Sequence, residues 1–170
     1  MRLEQLGELT RHPDIEEWLQ SELIDVGYFP EKRLRFILEN IEDDEAQQDY
    51  AAAVVNFLKM TTADREVASL YVFKNYSEFV RTVGEDEIDV RIAVATDVWK
   101  HIQPSEVYVK RRRKEKKVYT AIAAECDWEP EHGLQIVYRN GNQLSRISTQ
   151  DGHLSYCDAY AKPESDDRIC

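Results

Sequence analysis

The residues best suited to chemistry lie in two short segments of the C-terminal half of the chain. The first segment is CDWEPEHG at 126–133, and the second is DGH at 151–153. Carboxylates and imidazoles can act as general acids and bases or as metal ligands. Strands predicted at 134–139 and 143–148 would form a hairpin that brings residue 150 near residue 132. The candidate ligand-binding residues are therefore Asp127, Trp128, Glu129, Glu131, His132, Asp151 and His153.

Turn formation explains the same residues without any ligand, and we favour it. Pro130 and Gly133 are typical of one turn and Asp151-Gly152 of another, with the charged side chains bracing them. Trp128 ends an apolar strand, which is more typical of a core anchor than of a ligand contact. The sequence contains no HExxH, HxE…CxxC or GxSxG motif. We therefore assign no catalytic residue, metal or cofactor, and keep a ligand-binding loop pair and a metal or catalytic site as alternatives.

The negative charge of the chain is concentrated before residue 101. The net charge is −11; residues 1–100 carry 22 acidic and 11 basic side chains, and residues 101–170 carry 11 of each. Such a field repels nucleic acid and anionic membranes and attracts basic partners. The candidate partner-binding residues form one acidic group: Glu42, Asp43, Asp44, Glu45 and Asp49. We favour a solvated helix N-terminus as the explanation of this group and solubility as the explanation of the charge, and keep a docking patch for a basic protein as the alternative.

A basic run opposes this acidity between two predicted strands. Seven of the eight residues at 110–117 are cationic. The run lacks interleaved aromatic residues and belongs to an acidic chain, which argues against nucleic-acid binding. We expect a loop that is either solvated or folded against the acidic half.

The helices and strands predicted to position these residues indicate an α+β fold in a single domain at 1–162. PDIEEWLQ at 13–20 predicts a short helix, and 22–39 predicts an N-terminal β-hairpin. Two amphipathic helices follow as an antiparallel pair, the second at 63–82 with a capping box at Thr61 and Asp64. A meander of about five strands begins at 88–95 and includes an Asn140-Gly141 turn. We expect the polar residues 163–170 to be disordered.

The remaining composition places the chain in the cytoplasm. No apolar run approaches the ~20 residues that span a bilayer. The N-terminus MRLEQLGELT has no apolar signal-peptide core. Three cysteines without a CxxC pair argue against a disulfide framework. The oligomeric state is left open.

Three segments resemble a bacterial domain family of unknown function, over roughly residues 12–160. They are NFLKMTTADREVASLYVFKNYSEFV, DVWKHIQPSEVYV and ECDWEPEHGLQIVYRNGNQLSRISTQDGH, and the last carries the signature C-x-W-E-x-E-H-G-L-Q followed by D-G-H. The resemblance implies no activity. A looser likeness of size and charge links the chain to immunity proteins of polymorphic-toxin systems.

Two hypotheses about function follow from these residues. The leading one is a non-enzymatic protein-binding module, and its more specific form is an immunity protein that inhibits a basic toxin domain. The alternative is a small-molecule- or metal-dependent enzyme with its site at the loops 127–133 and 150–153.

Overall fold

A mostly antiparallel sheet of eight strands forms the centre of the molecule in a computed structural model that describes residues 1–170. The strands are ordered β10-β9-β8-β7-β6-β4-β3, and β5 pairs with the first part of β6. Only β6 and β7 run parallel. The strands of this sheet are β3 (Thr10–Arg11), β4 (Trp18–Gln20), β5 (Ile24–Val26), β6 (Phe29–Glu39), β7 (Ile102–Arg111), β8 (Val118–Cys126), β9 (Leu134–Arg139) and β10 (Gln143–Ser148). A separate small hairpin joins β1 (Arg2–Leu3) to β2 (Gly7–Glu8).

Two helices lie between β6 and β7 in the chain and pack on one face of the sheet. Helix α1 (Gln47–Leu58) contacts β7 and β8, and α2 (Thr62–Val83) contacts β10. The predicted capping box is present, because the Thr61 hydroxyl accepts from Ala63 N and Asp64 accepts from Thr61 N. The shorter helices are α3 (Tyr156–Tyr160) and three 3₁₀ turns at Glu85–Glu87, Ala95–His101 and Glu164–Asp166. No helix combines the length and the apolarity needed to cross a bilayer.

The alternation of side chains along the strands gives the sheet two different faces. On the face that α1 and α2 cover, which we call the helix face, one cross-strand row is fully buried: Phe36, Val107, Ile122, Ile136 and Ile147. Residues one position along from these point to the opposite face, which we call the open face. The open face carries a smaller apolar cluster around Tyr119, Val137 and Leu154. The main core therefore lies on the helix face, and the open face keeps room for polar side chains.

The α+β class, the N-terminal hairpin of β5 and β6 and the two long helices are confirmed. The helix predicted at 13–20 is wrong, because Trp18–Gln20 forms β4 and pairs with β6. The strand predicted at 88–95 is also wrong: this segment lies between two 3₁₀ turns and pairs with no strand. Ile88 and Ile92 are buried, whereas Val94 is 55 % exposed. The alternating pattern therefore reflects a segment that covers α2.

The C-terminal residues 163–170, which the sequence predicts to be disordered, make defined contacts. Glu164 accepts two hydrogen bonds from Arg112 at 2.6 and 2.9 Å. Ile147 N donates to Ile169 O at 2.9 Å, and Ile169 packs against the main core. The segment thereby covers the outer edge of β10.

Candidate functional site

The two polar loops predicted to be neighbours do lie side by side. Gln150 N donates to His132 O at 3.3 Å, and Gln150 Nε2 donates to Ala124 O at 2.9 Å. Gly133, at φ +62°, permits this approach, because a Cβ there would lie 2.6 Å from Ala124 O. The hairpin of β9 and β10 brings the loops together, as the antiparallel pairing requires.

The first loop uses its own polar groups to hold its shape. Trp128 is 1 % exposed and donates from Nε1 to Asn75 Oδ1 at 3.3 Å, so it anchors the core. Glu129 is buried and accepts from His132 N at 3.3 Å, while His132 Nδ1 lies 3.3 Å from the same carboxylate. These contacts close a turn and leave no free pair of catalytic groups.

The remaining chemistry-bearing residues of the loops do not converge. Asp127 pairs with His101 at 2.9 Å, away from the second loop. Glu131 and His153 are exposed, and the His153 contacts come from its backbone. No group of three His, Cys, Asp or Glu side chains is placed to hold a metal ion.

The second loop is fixed by a buried polar network. Asp151 accepts from both Arg146 guanidinium nitrogens at 2.6 Å, and Arg146 is only 2 % exposed. Gln135 Nε2 donates to Asp151 Oδ1 at 3.1 Å and to His153 O at 2.9 Å. Burial raises the pKa of Asp151 and is the largest single influence. The hydrogen bonds from Arg146 and from His153 N, together with the Arg146 charge, outweigh it and hold that pKa below its ordinary value. The network rigidly presents residues 150–152 over the open face.

A cleft of about 280 Å³ lies beneath this loop, and we call it the open-face cleft. Strand register builds it, because directly opposed residues point to the same face. Trp18 opposes Glu39, Tyr108 opposes Ala121, and Ala123 opposes Gln135. The rings of Trp18 and Tyr108 meet edge to face at 6.0 Å and form one wall. Lys110, Ile122, Gln150 and Gly152 complete the lining.

One pair of opposite charges lies in the open-face cleft. Glu39 Oε1 and Lys110 Nζ are 3.5 Å apart, and their side chains are 15 % and 21 % exposed. Lys110 also donates to Gly152 O at 2.9 Å, which ties the second loop to β7. Burial raises the pKa of Glu39, and Lys110 only partly opposes this shift. The Glu39 carboxylate is therefore incompletely compensated by the chain.

A larger hollow of about 610 Å³ separates α2 from β10 and the C-terminal residues. Its charged groups already have partners within the chain: Arg146 binds Asp151, and Lys74 donates to Cys170 O at 3.0 Å. Arg168 also lines the hollow and contacts only the hydroxyl and ring of Tyr156.

The acidic group at 42–49 is partly neutralised by the basic run. Arg111 binds Asp44 at 2.6 and 2.9 Å and Asp49 at 2.9 Å. The hydrogen bond from Arg111 lowers the pKa of Asp44 below its ordinary value. Of the other three candidates, Glu42 pairs with Arg11 at 2.8 Å, while Asp43 and Glu45 lie toward the surface without an ion pair.

The neighbouring Arg112 is buried in a second ionic cluster. Its guanidinium binds Asp158 at 2.6 and 3.0 Å as well as Glu164, and the side chain is 5 % exposed. Of the two alternatives for the basic run, Arg111 folds against the acidic half, whereas Arg113, Lys116 and Lys117 are exposed to solvent. Arg112 adds acidic partners in the C-terminal segment.

The outer face of α2 carries an exposed apolar stripe that the sequence patterns did not predict. Val67 is 69 % exposed, Leu70 is 70 % exposed and Tyr71 is 36 % exposed. Their i, i+3, i+4 spacing places them together on the helix surface. The sequence shows this spacing. However, the apolar residues of α2 that face the core repeat with the same helical period, so periodicity alone does not reveal which stripe is exposed.

The fold and its sites define an α+β domain that has a cleft with one pair of opposite charges on the open face of its sheet. The helix face is covered by α2, whose outer surface carries an apolar stripe. The chain belongs to the family described as a domain of unknown function (DUF6985), whose model matches residues 5–154. Neither a curated protein nor a solved structure matches the chain.

Proposed function

We propose that this domain is a protein-binding module that docks a basic partner on the outer face of α2. The observation that carries the proposal is the exposed stripe of Val67, Leu70 and Tyr71. Large apolar side chains grouped on a surface mark interaction sites, whereas single exposed ones need no explanation. A partner that covers these three residues gains the burial that the chain itself does not supply.

The charge along α2 and in the segment that follows it favours a basic partner. Residues 62–89 contain seven acidic and three basic side chains. One of the three, Arg65, lies over the rings of Phe29 and Trp99 at 5.4 and 5.2 Å. The carboxylates of the acidic segment 85–89 form no ion pair within the chain and are exposed. A partner with an apolar patch for the stripe and basic groups toward the C-terminal end of α2 complements this arrangement.

The acidic group at 42–49 contributes to the same negative field but differs in composition. Arg111 already neutralises Asp44 and Asp49. Asp43 and Glu45 keep their charge without a partner, and no apolar side chain of comparable exposure lies beside them in the sequence. We therefore assign these two residues a role in steering the partner, which affects association rate more than affinity.

The finer form of the proposal is an immunity protein that neutralises a basic toxin domain. Enzymes that attack nucleic acid bind phosphates with basic clefts, and an acidic protein competes for such a cleft. The small size of the chain, its net charge of −11 and its looser likeness to immunity proteins support this form.

The first experiment locates the docking face. A photo-crosslinking residue is placed at Leu70, and the matched control carries it at Asp43, both in the full chain within its native cells. The proposal expects a basic protein to crosslink from position 70 and not from position 43. Crosslinking from position 43 alone would show that the partner docks on the acidic group at 42–49, and it would overturn the assignment of docking to α2.

The second experiment measures the purified partner. Replacing Leu70 and Tyr71 together by Ser should weaken binding by at least ~30-fold, the loss typical of a hot-spot pair. Replacing Asp43 and Glu45 by Lys should instead slow association and reduce its salt dependence. Unchanged affinity in the Ser variant refutes docking on α2. If the partner is a nuclease that still cleaves its substrate when fully bound, the immunity-protein proposal is refuted, but the protein-binding proposal is not.

A further inference from the structure

We propose that the open-face cleft binds a small zwitterion, a molecule that carries both an ammonium and a carboxylate group, as a free α-amino acid does. The cleft combines an apolar wall and floor with one buried pair of opposite charges. It is separate from the proposed docking surface, because α2 covers the helix face of the sheet and the cleft lies on the open face.

The floor of the cleft leaves space that the rest of the sheet fills. Ala121 and Ala123 are consecutive open-face residues of β8, and they provide little more than a methyl group each. The neighbouring row positions hold the larger Ile37 and Val137. The resulting volume of about 280 Å³ is close to the lower end of the range for ligand sites. Such a volume suits a compact ligand with a short apolar or aromatic side chain.

The charged pair is incompletely satisfied by the protein. The distance of 3.5 Å between Glu39 Oε1 and Lys110 Nζ exceeds the usual length of a charge-assisted hydrogen bond. Lys110 is the only charged partner of the Glu39 carboxylate, which has lone pairs for several donors. Lys110 donates one N–H to Gly152 O and faces Glu39 with another, so one of its three N–H donors remains free. A mostly buried carboxylate with one distant partner gains from a ligand that brings donors.

An amide oxygen adds a further acceptor to the cleft. The partners of Gln135 Nε2 include the Asp151 carboxylate and the His153 carbonyl, which only accept. This fixes the orientation of the amide, and Oε1 is the atom without a partner among the side-chain hydrogen bonds of Gln135. Gln135 Oε1 is therefore a further acceptor among the residues that line the cleft, in addition to the Glu39 carboxylate.

The cleft contains both a negative and a positive group, and this favours a zwitterionic ligand over a purely cationic or purely anionic one. A ligand with only a positive charge would face the Lys110 ammonium, and a ligand with only a negative charge would face the Glu39 carboxylate. A zwitterion places its ammonium against Glu39 and its carboxylate against Lys110, so that neither group meets a like charge. Its side chain then contacts the Trp18 and Tyr108 rings.

Calorimetric titration of the full chain with each of the twenty free amino acids tests the zwitterion site. At least one of them should bind with a dissociation constant of about 1 mM or tighter. The variants Glu39→Gln and Lys110→Met should each weaken binding by at least ~tenfold, since each removes one of the two complementary charges. The matched control is Glu31→Gln, an exposed carboxylate of the same strand, and it should bind as the natural protein does.

Derivatives of the bound amino acid separate the two charges. The N-acetyl derivative lacks the ammonium and the amide lacks the carboxylate, and each should bind at least ~tenfold more weakly. Equal binding of the amide would reassign the site to a simple cation and overturn the zwitterion. Absence of heat from all twenty amino acids at about 10 mM also overturns it, because a site with a dissociation constant of about 1 mM is close to saturation at that concentration.

A cavity-filling variant and a spectroscopic readout tie the binding to the cleft. Ala121→Leu should abolish binding, because the larger side chain occupies the floor. Nuclear magnetic resonance of the unmodified protein should show ligand-dependent shifts of the Trp18 indole N–H and the Gly152 amide. Shifts confined to residues outside the cleft would refute the assignment even if Ala121→Leu failed to fold.

Discussion

Replacing Gly141 by Ala should destabilise the fold far more than a change of one methyl group suggests. Gly141 has φ +84° in the turn between β9 and β10, and a Cβ there would lie 2.0 Å from Ala53 O in α1. The left-handed backbone alone costs about 1–2 kcal/mol for a residue with a Cβ. The contact adds more, because backbone cannot move aside as a flexible side chain does.

The size of the additional cost follows from what α1 buries. Relieving a contact of 2.0 Å requires α1 to move by more than 1 Å, since ordinary van der Waals contact begins at 3.4 Å. Helix α1 buries Tyr50, Val54 and Phe57 against the sheet. Losing part of that packing costs a further ~2–3 kcal/mol, the scale of a large-to-small core substitution. We expect a total loss of about 4 kcal/mol in the free energy of unfolding.

Gly152→Ala is the matched control. Gly152 has nearly the same backbone, with φ +76°, but a Cβ there would meet nothing within 4 Å. It should lose only the conformational cost of about 1–2 kcal/mol. Urea unfolding followed by circular dichroism measures both variants. Equal losses of unfolding free energy in the two variants would refute the conclusion that α1 packs directly against the backbone of Gly141.

The ionisable groups give three further expected outcomes. Arg112→Met should lower the free energy of unfolding by about 3 kcal/mol at pH 7. Because Arg112 holds the pKa of Asp158 well below its ordinary value, the Asp158 contribution is present above about pH 4 and is lost on acidification, so urea titrations at several pH values should show the variant's deficit shrinking. Glu39→Gln should raise the melting temperature at pH 7, because burial raises the pKa of Glu39 and its ionised form opposes folding; the gain should vanish below about pH 4, where both states hold the proton. A gain that persists at low pH would show that charge is not the cause. Native protein should expose one fast-reacting thiol to a disulfide reagent at about pH 8, that of Cys170, because Cys126 and Cys157 are buried and burial raises the pKa of Cys126 to about 12. Rapid reaction of Cys126 would contradict its burial.

The sequence predicted the elements whose signals are local. The capping box at Thr61 and the Asn140-Gly141 turn each depend on a few adjacent residues, and each is present. Where a helical pattern covered only a few residues, pairing with a neighbouring strand determined the structure instead. Three apolar residues at 15–19 suggested a helix, but the edge of β6 recruits Trp18–Gln20 as a strand.

The open-face cleft could not be predicted from the sequence, because it too depends on which strands pair. Its lining comes from β4, β6, β7, β8 and β9 and from the loop after β10, and these strands meet only through a sheet order that includes the β6–β7 pair. Glu39 precedes Lys110 by 71 positions, and no short motif records that they are neighbours. The loop pair was predictable, because a single hairpin determines it.

The parallel pairing of β6 with β7 also sets the order in which the chain can assemble. Strands β7 to β10 are joined by short connections and pair in sequence, so they close small loops early. The β6–β7 pair instead closes a loop that contains both long helices, between Glu39 and Ile102. Closing so long a loop costs more chain entropy, and non-local pairings of this kind slow folding. The central hydrogen-bonded seam of the finished sheet is therefore expected to be among its last to form, and mutations in β6 should change the unfolding rate more than the folding rate.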